Sequence, residues 1–159
     1  AAAGDELFLE RTFEVRAEAW QLDLLARETT MDGAGRRFAE RRLSYDGRGN
    51  LEREEVWLDT EDRFIPIRRH SLDAFGNVIE RTDARDNRRS TVYDGLLHAM
   101  AVREVIHLAG SDLTMTAEVD LGFGVVSSAV NFSGEQTLYA YDALARLVGK
   151  ESPGGAGET

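Results

Sequence analysis

The sequence contains no cysteine and only two prolines in 159 residues. The first absence excludes disulfide staples and thiolate metal sites, and it leaves the redox compartment open. The second leaves long stretches free of the residue that interrupts strand ladders, with Pro66 and Pro153 as the exceptions. No run of about 18 apolar residues is present, so no membrane-spanning helix is expected. Basic residues number 19, mostly arginine, against 29 acids, for a formal charge of -10. They lie interleaved with acids, as in Arg11 to Glu18 and Arg53 to Asp62, and form no basic cluster. Nucleic acid is therefore not an expected partner, because binding to a phosphate backbone rests on clustered Lys and Arg.

Catalytic and metal signatures are missing as well. There is no G-x-S-x-G elbow and no Walker loop, and Gly33-Ala34-Gly35, Gly47-Arg48-Gly49 and Gly122-Phe123-Gly124 lack the third glycine of a dinucleotide fingerprint. His70, His98 and His107 show neither H-x-H nor H-E-x-x-H spacing. Neither the twelve-residue calcium loop nor the Gly-rich calcium nonapeptide occurs. Glu54 with Glu55 would point to opposite faces of a strand, and Asp59 with Asp62 shows no convergent partner set. No catalytic residue, metal ligand or cofactor is assigned, and the chain is not expected to be an enzyme.

What is present is a short recurring phrase: an apolar or aromatic residue, Asp, Gly about three places on, then an apolar residue. It stands most clearly in Tyr45-Asp46-Gly47-Arg48-Gly49-Asn50-Leu51, in Leu72-Asp73-Ala74-Phe75-Gly76-Asn77-Val78 and in Tyr141-Asp142-Ala143-Leu144-Ala145-Arg146-Leu147. Weaker copies surround Asp32, Asp59, Tyr93-Asp94 and Asp120. Asp favours the first position of a type I turn, and Gly three places later takes the left-handed conformation of a bulged hairpin. Each copy thus reads as a hairpin tip. Between tips lie β-rich stretches such as Phe13, Val15 and Ala17, or Leu138, Tyr139 and Tyr141.

The expected fold is all-β, an antiparallel meander of hairpins. Residues 1–28 are expected to be N-terminal strands, 29–154 the repeat sheet and 155–159 a flexible tail. Two helical alternatives stand beside this: Leu97, Ala101, Val105 and Leu108 fall at helical spacing, and Ala17 to Arg27 allows a short helix. The residues expected to carry the fold's role are the turn and wall positions Tyr45, Asp46, Gly49, Leu51, Asp73, Gly76, Val78, Tyr93, Asp94, Asp120, Tyr139, Tyr141, Asp142 and Leu147. Trp20, Trp57, Phe64 and Phe75 join them as aromatics expected to pack along one strand face.

The Tyr-Asp dipeptide followed by Gly-Arg-Leu or Gly-Asn-Leu resembles the YD repeat of Rhs proteins, which teneurins and the B and C components of bacterial toxin complexes also carry. Asn131 to Gly154, NFSGEQTLYAYDALARLVGKESPG, is similar to the phrase NG-x-T-x-x-Y-x-YD-x-x-GRL-x-x-x-x-x-PG of that family. The resemblance covers roughly Thr29 to Gly154. It implies one stretch of the wall of a β-shell, or a partial barrel, that encloses a toxin-type cargo polypeptide. The implied partners are the rest of that shell and its cargo, open strand edges invite self-association, and the implied location is secreted or on the bacterial surface. No signal peptide is visible at Ala1 to Gly4. Ala145 and Leu97 stand where the family has Gly, so those two turns are expected to differ in type. The family's Asp-Pro-x-Gly-Leu self-cleavage phrase is absent: the only X-Pro bonds are Ile65-Pro66 and Ser152-Pro153. The alternative reading, from a different class, is a secreted or surface β module that binds carbohydrate or a host surface through exposed aromatics.

Overall fold

A computed structural model describes residues 6–153. Strands dominate it, as the alternating segments require: β1 (Leu7–Arg16), β2 (Gln21–Asp32), β3 (Arg37–Tyr45), β4 (Leu51–Leu58), β5 (Arg63–Leu72), β6 (Val78–Asp83), β7 (Arg88–Tyr93), β8 (Ala101–His107), β9 (Leu113–Asp120), β10 (Val125–Val130), β11 (Gln136–Tyr141) and β12 (Leu147–Glu151). The fold is an all-β antiparallel meander with strands in chain order. Contacts group it into two units, Ala1–Leu72 with Arg81–Asp86, and Asp73–Glu80 with Asn87–Thr159. The boundary expected at residue 28 falls within β2, and the expected tail at 155–159 lies outside the described residues.

In the first unit β1 to β5 pair successively, with Arg11 opposite Glu28, Glu28 opposite Arg41, and Glu54 opposite Arg68. In the second, β7 to β12 pair in the same way, with Thr91 opposite Glu104, Glu104 opposite Met115, and Ala117 opposite Ala129. Among the described residues β1 pairs with β2 alone and β12 with β11 alone, so neither meander closes into a barrel.

Both helical alternatives resolve into strand. Ala101–His107 is β8, because the turn before it already consumes Asp94 to Met100; Ala101 and Val105 then lie an even step apart on the strand and Leu108 falls just past its end. Ala17–Ala19 is a single 3₁₀ turn, after which Gln21–Asp32 runs as the longest strand.

The interior is sparse. Val105 is the one buried hydrophobic residue among those described, while Thr29, Glu40, Glu54, Asp94 and Ser128 are buried polar groups. A single sheet layer has no facing layer to cover its apolar side chains, so burial falls to groups held between strands by hydrogen bonds and ion pairs.

Candidate functional site

The recurring phrase folds the same way at five positions. At Asp32, Asp46, Asp73, Asn131 and Asp142 the residue's own N–H donates to the carbonyl four places on, and its carbonyl accepts from the N–H three places on, at 2.9–3.2 Å. Its side-chain oxygen accepts from the N–H groups two and four places on, at 2.8–3.0 Å. Four bonds therefore close a five-residue loop. The residue three places on stands at positive φ: Gly35, Gly49, Gly76, Gly134 and Ala145. Ala145, expected to mark a different turn type, sits at φ 58 in the same turn, its backbone held there by the same four bonds.

The Asp94 turn does differ, because it is longer. Asp94 donates to the Met100 carbonyl, and the left-handed residue is His98 at φ 53 rather than Leu97. The Asp94 carboxylate, buried, accepts from five backbone N–H groups, those of Leu96, Leu97 and His98 on one oxygen and Ala99 and Met100 on the other. Those donors, Met100 first, hold it far below the ordinary carboxylate range. Asp46 and Asp142 are also lowered, chiefly by side-chain bonds from Asn50 and Arg146. At Asp73 burial acts the other way and the bonds from Asn77, Phe75 and Gly76 outweigh it. Asp120 accepts from Gly122 and Phe123 and closes through Gly124.

The tyrosine ahead of the aspartate has its own task. Tyr45 Oη donates to the Leu25 carbonyl at 3.0 Å, Tyr141 Oη to the Val126 carbonyl at 2.9 Å, and Tyr93 Oη approaches the Val78 carbonyl at 3.5 Å. Leu25 and Val126 lie just beyond the paired registers of β2 with β3 and of β10 with β11. The phenol satisfies a carbonyl that the ladder leaves over, and the aspartate then turns the chain. Leu51 and Leu147 restart the next strand opposite Tyr45 and Tyr141.

Tyr139 lines an apolar recess of about 450 Å³ in the second unit, together with Met115, Ala117, Ala129, Val102 and Tyr141. Ala117 and Ala129 stand opposite one another, and their small side chains open the hollow.

The aromatics do not form one packed face. Trp20 is 86% exposed at φ 55, because it closes the turn from Ala17 and so projects outside the ladder. Phe75 is exposed, yet stacks on His98 with ring centres 4.0 Å apart. Trp57 and Phe64 lie under guanidinium groups, Arg37 at 3.6 Å and Arg42 at 3.5 Å.

Solved structures share this fold. The chain aligns with TcdB2-TccC3 lacking its hypervariable C-terminal region at a TM-score of 0.68 and 20% identity, over 92% of this chain and 7% of that one. The Tc holotoxin pore of Photorhabdus luminescens gives 0.66 and 20%, over 89% and 7%, and TcdB2-TccC3-Cdc42 gives 0.61 and 18%, over 91% and 8%. The chain has the fold of a short stretch of these toxin proteins. It spans less than a tenth of their length. No protein-family model and no curated protein sequence matches it. The toxin-complex resemblance in the YD phrases is thus met by a likeness in fold.

Two features escaped the sequence reading. Asn131 builds a full copy of the turn, legible as Asn-x-x-Gly had Asn been treated as equivalent to Asp. The first unit is also laced by ion pairs: Arg11 with Glu28, Glu28 with Arg41, Arg41 with Glu54, and Glu54 with Arg68 run across five strands. A second cluster gathers Arg27, Arg37 and Arg42 around Glu40, whose side chain is fully buried. Burial would raise the Glu40 pKa, but bonds from Arg37 and Arg27 keep it below its ordinary value. The interleaving of Arg and Glu was visible in sequence. Its register was not.

Proposed function

We propose that the chain is a wall segment of a YD-repeat shell, excluding solvent and other molecules from an enclosed toxin-type cargo polypeptide. The observation that carries this is the turn repeated five times with one hydrogen-bond pattern, in a meander whose fold matches under a tenth of a toxin-complex chain. Such a turn fixes strand length and register without a hydrophobic core, which is what a thin wall requires. The role is mechanical, through hydrogen-bonded strands and ion-pair ladders, and the partners are the neighbouring wall strands and the cargo. A secreted, toxin-delivering bacterial protein is the setting that fits.

Light scattering joined to small-angle X-ray scattering tests the reading. Self-association through β1 or β12, or an elongated particle, is expected. A compact monomer at all concentrations would refute it.

The carbohydrate-binding alternative draws on one recess, in the first unit, where Arg36, Arg37, Phe38, Trp57 and Asp59 surround about 430 Å³. Arg37 already covers one face of Trp57, which leaves less ring for a sugar. Isothermal titration with a panel of oligosaccharides decides it, and binding lost in Trp57→Ala would favour this second reading.

A further inference from the structure

Three polar side chains with no sequence motif between them converge in the second unit. Ser90 Oγ lies 2.7 Å from His107 Nε2, and His107 Nδ1 lies 3.1 Å from Asp112 Oδ2. The strand register explains the meeting. Ser90 stands opposite Val105 and Arg88 opposite His107, so positions 88, 90, 105 and 107 share one face of β7 and β8. Asp112 comes from the link between β8 and β9, the one connection among the described residues that carries no left-handed residue.

The hydrogen-bond inventory fixes the roles. An ionised Asp112 can only accept, so Nδ1 carries the imidazole proton and donates it to the carboxylate. Nε2 is then the free acceptor, and the Ser90 hydroxyl donates to it. A nucleophile bonded to a base, with the base oriented by a third group, is the arrangement that activates a serine. Ser90 is half-buried, and the His107 side chain is 25% exposed and that of Asp112 49%, so the group is open to solvent at its edge.

We propose that Ser90, His107 and Asp112 form a nucleophilic serine site for small carboxylic esters. Ser90 Oγ bonds to the ester carbonyl carbon while its proton passes to His107 Nε2. The carbon's bond to the leaving alkoxide breaks, and that alkoxide takes the proton from Nε2. Water then attacks the acyl-serine carbon, giving its proton through His107 to the departing Ser90 oxygen, and the carboxylic acid is released. Asp112 acts as a positioning residue, holding the tautomer and stabilising the imidazolium.

The test uses a fluorophosphonate probe on the whole chain, with peptide mass spectrometry to locate the adduct. Labelling at Ser90 is expected, slowed about 10²-fold or more in His107→Gln. Labelling no faster than in Ser90→Ala, or unchanged in His107→Gln, would overturn the proposal. Because the chain has no cysteine, Ser90→Cys introduces a single thiol. Its alkylation by iodoacetamide at neutral pH should be at least about tenfold faster than in the Ser90→Cys, His107→Gln double variant, since a neighbouring imidazole favours the thiolate. Equal rates, with matching circular dichroism, would show that His107 does not act on position 90.

Discussion

Ala145→Gly should stabilise the second unit. Ala145 occupies φ 58, where the equivalent turns have Gly35, Gly49, Gly76 and Gly134 between 77 and 88. A Cβ in that region meets the following carbonyl at a cost of about 1–2 kcal/mol. Removing it recovers that cost but adds unfolded-state entropy, which takes back about 0.4–1 kcal/mol. The net gain is about 0.5–1 kcal/mol. In urea, with a slope of about 2 kcal/mol per molar, the unfolding midpoint should rise by about 0.3–0.5 M. Gly134→Ala is the matched control, since a Cβ there meets nothing within 4 Å and only the φ of 81 opposes it. It should lower the midpoint by a similar amount. A fall for Ala145→Gly, or no change in either variant, would mean that these backbones do not hold the left-handed conformation and that the turn reading is wrong.

Glu40→Gln should lower stability by about 1–3 kcal/mol in chemical denaturation, because three arginines around a fully buried side chain lose their shared charge. Tyr141→Phe should cost about 0.5–1.5 kcal/mol and accelerate amide exchange at the Val125 end of β10, as the Val126 carbonyl loses its donor. On acidification the depressed carboxylates Asp32, Asp46, Asp73, Asp94 and Asp142 should hold the turns above the unfolded carboxylate pKa and release them as pH falls through their lower folded values. A circular dichroism titration from pH 7 to pH 2 should therefore show loss of strand signal confined to the acid end, shallower in Asp94→Asn. Of the two tryptophans, Trp20 left alone by Trp57→Phe should be quenched strongly by acrylamide, and Trp57 left alone by Trp20→Phe only weakly, beneath Arg37.

The fold was legible because its information is local. Asp46 to Leu51 contains the acceptor, the left-handed glycine and the strand restart within six residues, and such a unit needs no distant partner to be read. Ala145 was misjudged because a propensity argument weighs the residue alone, whereas four hydrogen bonds set its backbone. Trp20 was misjudged for a related reason: Trp20, Leu22 and Leu24 alternate as in a strand, but the turn from Ala17 ends at Trp20 and places its ring outside the ladder. The ion-pair ladder and the Ser90, His107 and Asp112 cluster could not be read at all. Both depend on register across strands, Arg11 to Arg68 in one case and β7 to β8 in the other, and register is fixed by bulges such as those at Thr12/Phe13 and Glu54/Glu55 that leave no composition signal.

A sheet with one buried hydrophobic residue among those described cannot owe its order to a core of the usual kind. Its stability must scale with the number of hairpins, each adding a ladder and a turn, five of these turns closed by four hydrogen bonds, and in the first unit a charged step from Arg to Glu to Arg. Terms of this sort are gained between neighbours, as in repeat proteins, so the array can lengthen by one hairpin without altering those already made. The terminal strands gain only half of them, which places the weakest points at β1 and β12. Exposed Leu7, Leu9, Phe13 and Val15 on β1 are the side chains expected there if another strand is to complete the ladder. A proteolysis series should accordingly trim the chain from its outer strands inward, and cleavage first within the central turns at Asp46 or Asp94 would contradict this nearest-neighbour account.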